Sequence, residues 1–166
     1  MDPHLKNLQE EIAAAVAGLS VEEWERHPPG KWCAGEVLEH LYLTYTGTAK
    51  GFSRVIESGK LATTAASWKQ RGGKWLVLGF GYLPGGREAP PSTRPKGLAR
   101  EKVLAEIADR VAEMDKLIGQ CEGKFGSAKQ LLDHPILGPL TGAQWRKFHL
   151  VHGRHHLKQI QALRGA

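Results

Sequence analysis

The stretch that decides the fold is "TGAQWRKFHLVHGRHHLKQIQAL", residues 141–163. Thr141 is a favourable N-cap, and the pattern after it predicts one amphipathic helix to about Leu163, roughly 35 Å long, with Gly165 closing the chain. At about 100° per residue, one stripe of this helix holds Trp145, His149, His152, His156 and Leu163. Histidines therefore occupy the face that a helical core should bury.

Several imidazoles on one buried stripe need a common partner, because each buried ring nitrogen must be satisfied. A divalent metal ion is such a partner. His152 and His156 lie one turn apart, so both can reach one ion from the same helix. A third ligand must come from another helix, and the histidine inside another predicted long helix is His40, in "GEVLEHLYLTY". The sequence therefore predicts a site of His40, His152 and His156.

Three further long helices are predicted upstream. The first carries an apolar stripe of Leu5, Leu8, Ile12, Val16 and Leu19 and stops near Gly18 to Ser20. Ser20 and Glu23 then form a capping-box pattern for a short helix, which Pro28 and Pro29 end.

The second long helix is predicted from about Ala34 to Ser58, with Gly59 as its stop signal. Its buried stripe contains Val37, Leu38, Leu41, Tyr45, Thr48 and Phe52. The third is predicted to end near Gly119, and its stripe contains Leu104, Ile107, Val111, Met114 and Ile118.

Residues of about 59–97 are rich in glycine and proline and break the helical pattern. A connection this long predicts a crossover, with the second and third long helices running parallel. The segment "KWLVLGF", residues 74–80, fits either a short helix or an extended packed segment. Residues 121–140 are predicted to be a linker with one turn of helix.

Positive charge is concentrated in the crossover. Between Lys60 and Arg100 there are eight Lys or Arg and one acid, Glu88, which gives this segment a charge of +7. The whole chain carries +6, so the rest of it is close to neutral. Basic residues interleaved with aromatics there are compatible with single-stranded nucleic acid. The favoured interpretation is that the aromatic rings pack on the helices while the basic groups stay solvated, and nucleic-acid binding is the third and least favoured functional hypothesis.

The remaining histidines have other predicted roles. His134, before a proline, is interpreted as a loop residue that fixes the entry to the last helix, or alternatively as part of the rim of the metal pocket. His149 is predicted to support the ligands or face a substrate, so it and His134 are the candidate catalytic pocket residues. His155, His4 and His27 are predicted to lie at the surface.

Length and composition predict a single all-α domain over residues 1–166. Cys33 and Cys121 match no metal or redox spacing and are predicted to be reduced thiols, although Cys33 precedes a helix and can be considered a reactive thiol. With no signal-peptide pattern and no run of eighteen apolar residues, we expect a cytoplasmic protein without membrane attachment.

"PPGKWCAGEVLEHL" and, much later, "HPILGPLTGAQWRKFHLVHGRHHLKQI" resemble the DinB-like superfamily of metal-binding four-helix bundles, in particular its uncharacterised branch with an HP-x-x-G-x-L-T segment. The resemblance covers both ends of the chain but not residues 60–97. It implies an up-down-down-up bundle with a long crossover between the second and third helices, and a divalent ion held by His40, His152 and His156.

The resemblance also implies a homodimer and a small-molecule substrate, since family members with known activity include transferases that use a low-molecular-weight thiol. A thiol-dependent S-transferase using zinc or nickel is therefore the leading functional hypothesis. A metal-dependent hydrolase and a bundle that binds a metal or a partner without catalysis are the alternatives.

Overall fold

The computed structural model describes residues 1–83 and 88–164 and is mostly helical, as predicted. Gly165 and part of the crossover lie outside these residues. The helices are α1 (Pro3–Val16), α2 (Val21–Glu25), α3 (Ala34–Ser58), α4 (Trp68–Lys74), α5 (Arg100–Phe125) and α6 (Gly142–Leu163). A π-helical turn, Trp75–Gly79, follows α4, a 3₁₀ turn spans Pro91–Thr93, and β1 (Leu132–His134) pairs antiparallel with β2 (Gly138–Leu140).

Local signals explain where the helices begin and end. The predicted capping box of Ser20 and Glu23 starts α2, and Thr141 forms a second one with Gln144 at the start of α6. Such boxes satisfy backbone N–H groups that have no partner inside the helix. The predicted bounds of α3 are confirmed, and Gly59 ends it with a φ of 66°, which glycine adopts without strain.

Side-chain contacts give the relative directions of the long helices. Tyr42 contacts Glu106 and Phe52 contacts Cys121, so α3 and α5 run parallel, as the crossover predicts. The α1 and α6 helices are also parallel, with Glu11 on Arg154 and the Ala17 carbonyl on Arg164.

The α3 and α6 helices run antiparallel: His40 contacts His152, whereas Phe52, further along α3, contacts the earlier residue Trp145. This antiparallel contact brings the histidine stripe of α6 against α3.

The predicted apolar stripes form one core. Every residue of the predicted α3 stripe is buried, and so are Leu5, Leu8, Ile12, Ile107, Val111, Met114 and Ile118. At roughly 1.5–3 kcal/mol for each buried large side chain, this core provides the main driving force for folding.

Two predicted boundaries are wrong. The α5 helix does not end near Gly119 but continues to Phe125, because its last turns bury Cys121 against the Phe52 carbonyl of α3. This burial outweighs the cost of about 1 kcal/mol for a glycine inside a helix. The predicted linker after α5 is instead a short β-hairpin, in which Leu131 donates a backbone hydrogen bond to the Leu140 carbonyl.

The crossover also differs from the prediction. The segment "KWLVLGF" is helical, and it buries Val77 and Leu78 while its aromatic rings face outward. The expectation that the crossover aromatics pack on the helices is therefore wrong: Trp68, Trp75, Phe80 and Tyr82 are 78%, 66%, 65% and 58% exposed. A short helix can turn only one face inward, and the aliphatic residues occupy that face.

Within the described part of the chain, no helix has the length and apolarity needed to cross a membrane.

Arg146 of α6 connects three parts of the fold. Its guanidinium donates to Asp115 at 2.7 Å and to both carboxylate oxygens of Glu122 at 2.9 and 2.8 Å, and the Asp115 carboxylate also accepts the Asp2 backbone N–H. The Arg146 and Asp115 side chains are only 11% and 10% exposed. When a charge network is shielded from water in this way, removing one member leaves its partners without a counter-charge and destabilises the fold.

We predict that Arg146→Met destabilises the protein by about 3–5 kcal/mol in urea denaturation, because two carboxylates are left buried without a counter-charge. The matched control is Arg154→Met on the same helix, whose ion pair with Glu11 is 50% and 35% exposed, so it should cost less than about 1 kcal/mol. Equal losses in the two variants would contradict this difference.

Candidate metal centre

Three histidines from two helices meet between α3 and α6. His40 comes from α3, and His152 and His156 lie one turn apart on α6. The Nε2 atom of His152 is 3.3 Å from His40 Nε2 and 3.1 Å from His156 Nε2. Two nitrogens bound to one zinc ion at 2.0–2.1 Å with tetrahedral angles are about 3.3 Å apart. Both distances to His152 Nε2 match this spacing, and the three residues together can hold a metal ion.

The opposite ring nitrogens orient two of these imidazoles. His40 Nδ1 lies 2.8 Å from the Thr93 carbonyl oxygen, and His156 Nδ1 lies 2.9 Å from Gln159 Oε1. Both oxygens are acceptors, so each Nδ1 carries the proton and each Nε2 presents a lone pair. This is the arrangement by which metal-binding histidines are usually oriented.

Burial keeps the cluster neutral. His40 and His152 are 4% and 9% exposed, and His156 is half-buried. Desolvation lowers the pKa of His40, places that of His152 well below its ordinary value and, together with nearby His40, lowers the pKa of His156 to about 4. All three imidazoles are therefore neutral at pH 7, with one proton each, and a metal requires this form of its imidazole ligands.

Aromatic rings line the centre on two sides. Trp32 packs on His40 with a ring-centre distance of 5.2 Å, and Phe148 stacks on His152 at 5.3 Å with an angle of 16° between the planes. These contacts restrict the rotation of both ligands and reduce the access of water to the nitrogens.

Glu39 fixes the segment that carries the Thr93 carbonyl. Its buried carboxylate accepts the backbone N–H groups of Lys96, Gly97 and Leu98 at 2.7, 3.1 and 3.2 Å. Hydrogen bonds to a carboxylate are strong, so Glu39 anchors the end of the crossover beside His40. The sequence analysis did not identify Glu39 or Thr93 as part of the site. The signal for Glu39 was an acidic residue next to the predicted ligand His40 inside an apolar helix.

The two candidate pocket histidines lie elsewhere. His149 is completely buried and contacts Tyr45 and Trp145, and neither of its ring nitrogens has a hydrogen-bond partner among the described residues. His134 Nδ1 accepts the backbone N–H groups of Ile136 and Leu137, so it holds the hairpin turn, as its loop interpretation predicts. Both rings are outside the three-histidine cluster.

The three histidines that were predicted to lie at the surface differ in exposure and in contacts. His4 is exposed, and His155 is half-buried, with Nε2 3.3 Å from Gln159 Nε2. His27 is exposed but pairs with Glu36 at 2.9 Å.

His27, Cys33 and Glu36 form a second group of possible metal ligands, which the sequence analysis did not identify. There, Glu36 accepts the Cys33 backbone N–H, and the Cys33 thiol accepts the Glu36 backbone N–H, which closes a helix cap. Burial raises the pKa of Cys33, so it is not an activated thiolate. Cys121 is also free and buried.

The buried histidines should make the metal-free protein sensitive to acid. Burial, together with nearby His134, lowers the pKa of His149 to about 3, below its ordinary value of 6.5, so its stabilising contribution is complete above pH 6.5 and is lost as the pH falls towards 3. Between pH 7.5 and 5 we predict that His149→Phe gains about 2 kcal/mol on the wild type in urea denaturation with chelator present. A constant difference between the two proteins across this range would contradict the assignment.

Comparison with known proteins gives one match. No curated protein and no solved structure matches the chain. A family model described as "Protein of unknown function (DUF1569)" matches residues 1–162. The chain that brings His40, His152 and His156 together therefore belongs to the DUF1569 family.

Proposed function

We propose that this protein is a metal-dependent enzyme whose divalent ion is held by His40, His152 and His156. The observation that carries the proposal is that His152 Nε2 lies 3.3 Å from His40 Nε2 and 3.1 Å from His156 Nε2, while the lone pairs of His40 and His156 are directed inward. The single N–H of a neutral His152 can serve one of these two contacts at a time, so at least one lone pair is left facing the cluster without a donor. A cation at the common point would be coordinated by these lone pairs.

The donor set favours catalysis over a purely structural role. Structural zinc sites use four protein ligands, whereas catalytic sites use three and keep a position open. Three neutral ligands leave the full charge of the ion in place, and a divalent ion held this way would lower the pKa of a coordinated water or thiol. His40 and His156 are held by Thr93 and Gln159, so the protein presents the ligands in a fixed orientation.

We propose zinc or nickel as the metal, since imidazole suits both. The reaction we propose is transfer to or from a low-molecular-weight thiol, on the basis of the DinB-like resemblance. Hydrolysis and metal binding without catalysis are the outcomes to be distinguished from it.

The same resemblance leads us to propose a four-helix bundle of up-down-down-up order and a homodimer. The parallel pairs α1–α6 and α3–α5, with α3 antiparallel to α6, support the proposed order. Light scattering should give twice the chain mass of 18.2 kDa for a dimer, and a value equal to one chain would exclude it.

Metal content tests the site. We predict one divalent ion per chain by elemental analysis after dialysis, and a loss of affinity of at least about 100-fold in His40→Ala, His152→Ala or His156→Ala. Removing a residue that only orients a ligand costs 10–100-fold, so removing a ligand should cost more. Metal addition should raise the melting temperature of the wild type but not of these variants.

His155→Ala is the neighbouring control, because this imidazole is outside the cluster but contacts Gln159, which orients His156. It should weaken metal binding less than the loss of any of the three ligands does. Full metal occupancy in His40→Ala would contradict the site, because His40 is the only ligand supplied by α3.

Activity distinguishes the functional alternatives. Metal-loaded protein would be incubated with several low-molecular-weight thiols and alkylating electrophiles, and in parallel with ester and amide substrates. We expect loss of thiol that requires both the metal and His152. Metal-dependent hydrolysis alone would favour the hydrolase, and no turnover with any substrate would favour a binding protein.

A further inference from the structure

An open cleft lies beside the start of α6, apart from the cluster of His40, His152 and His156. It has a volume of about 610 Å³ and is bounded by the start of α1, by α4 with its π-helical turn, and by the start of α6. This volume is within the range of small-molecule binding sites. Its α6 residues, Ala143, Gln144 and Lys147, belong to the first two turns of the helix, before His152, and none of the three clustered histidines lines it, so the cleft is separate from the candidate metal centre.

Three cationic side chains line this cleft. Arg71 and Lys147 have no ion-pair or hydrogen-bond partner for their side chains among the described residues. Lys74 is half-buried between them and the hairpin and donates to the Pro139 carbonyl at 2.6 Å. Burial and the neighbouring Arg71 lower the pKa of Lys74, while Asp133 acts in the opposite direction.

The acid that lines the cleft does not neutralise these cations. Asp2 accepts the backbone N–H of His4 at the start of α1, and its other oxygen lies 3.9 Å from the Arg146 guanidinium. Its charge is therefore directed to the helix terminus and to the network of Arg146. An anion bound in the cleft would interact favourably with Arg71, Lys74 and Lys147.

The cleft also has an apolar side. Leu78 is buried at its base, and Trp75, 66% exposed, stands at its edge against Phe80 with ring centres 4.4 Å apart. An exposed tryptophan beside cations is a surface on which a planar apolar group can stack.

We propose that this cleft binds a small anionic ligand with a planar apolar body: a phosphate or carboxylate group between Arg71, Lys74 and Lys147, and the apolar body on Trp75 and Leu78. Both halves are needed, because the exposed cations alone bind anions weakly in water and the single ring offers little apolar area. The proposal does not depend on the metal centre.

The test uses 1-naphthyl phosphate as the probe, with binding followed by its fluorescence and by calorimetry. It should bind saturably to the wild type and more tightly than either 1-naphthol or inorganic phosphate. Arg71→Gln, Lys147→Gln and Trp75→Ala should each weaken it about five- to tenfold, as expected for one charge-assisted hydrogen bond or one stacking contact.

Lys158→Gln is the matched control, since Lys158 is an exposed cation on α6 outside this cleft, and it should bind the probe as the wild type does. His152→Ala should also bind normally, which separates this proposal from that of the metal centre. No saturable binding in the millimolar range, or equal weakening by Lys158→Gln and Lys147→Gln, would overturn the proposal.

Discussion

The centre of this molecule is governed by the electrostatics of three imidazole nitrogens that face one another. His40, His152 and His156 are kept neutral by burial, and His152 Nε2 lies 3.3 Å from His40 Nε2 and 3.1 Å from His156 Nε2. A pair of hydrogen-bonded neutral imidazoles needs one N–H between each two nitrogens, and the protons on His40 and His156 are directed outward to Thr93 and Gln159. The cation that we propose at its centre would explain this arrangement, and the contacts between α3 and α6 would define the position of that cation.

Residues around the cluster hold the three imidazoles in this geometry. The crossover crosses from α3 to α5, and the Glu39 carboxylate captures its last residues through three backbone N–H groups. That anchor fixes the position of the Thr93 carbonyl, which in turn orients His40. Glu39 and His40 are consecutive in sequence, so one turn of α3 provides both a ligand and the attachment of the segment that orients it. Arg146 fixes α6 in a similar way, because it binds Asp115 and Glu122 of α5 more than one turn before His152.

Much of this organisation is contained in local sequence signals. The bounds of α3 and α6 follow from Gly59 and from the Thr141 cap, and the histidine stripe follows from helical periodicity, because these features depend on neighbours within one or two turns. The proposed ligand set combines a local pair with His40, which is more than a hundred residues distant and was predicted because it lies inside a long apolar helix.

Features that depend on distant contacts were missed or misread. Gly119 reads locally as a stop, but α5 continues because Cys121 is buried against α3. The strands of the hairpin have three residues each, too few for a periodic signal, and β2 contains Pro139, which argues against a strand. The exposed rings of Trp75 and Phe80 could not be predicted either, since hydrophobicity alone does not tell which face of a short helix is turned inward. The Thr93 carbonyl has no sequence signature at all.

The most direct test of the central claim is X-ray absorption spectroscopy of the protein loaded with one equivalent of zinc. Coordination by His40, His152 and His156 predicts three imidazole nitrogens at about 2.0 Å, a fourth light donor from solvent, and no sulfur. A sulfur neighbour at about 2.3 Å would instead place the ion at Cys33 with His27 and Glu36, and would contradict the account.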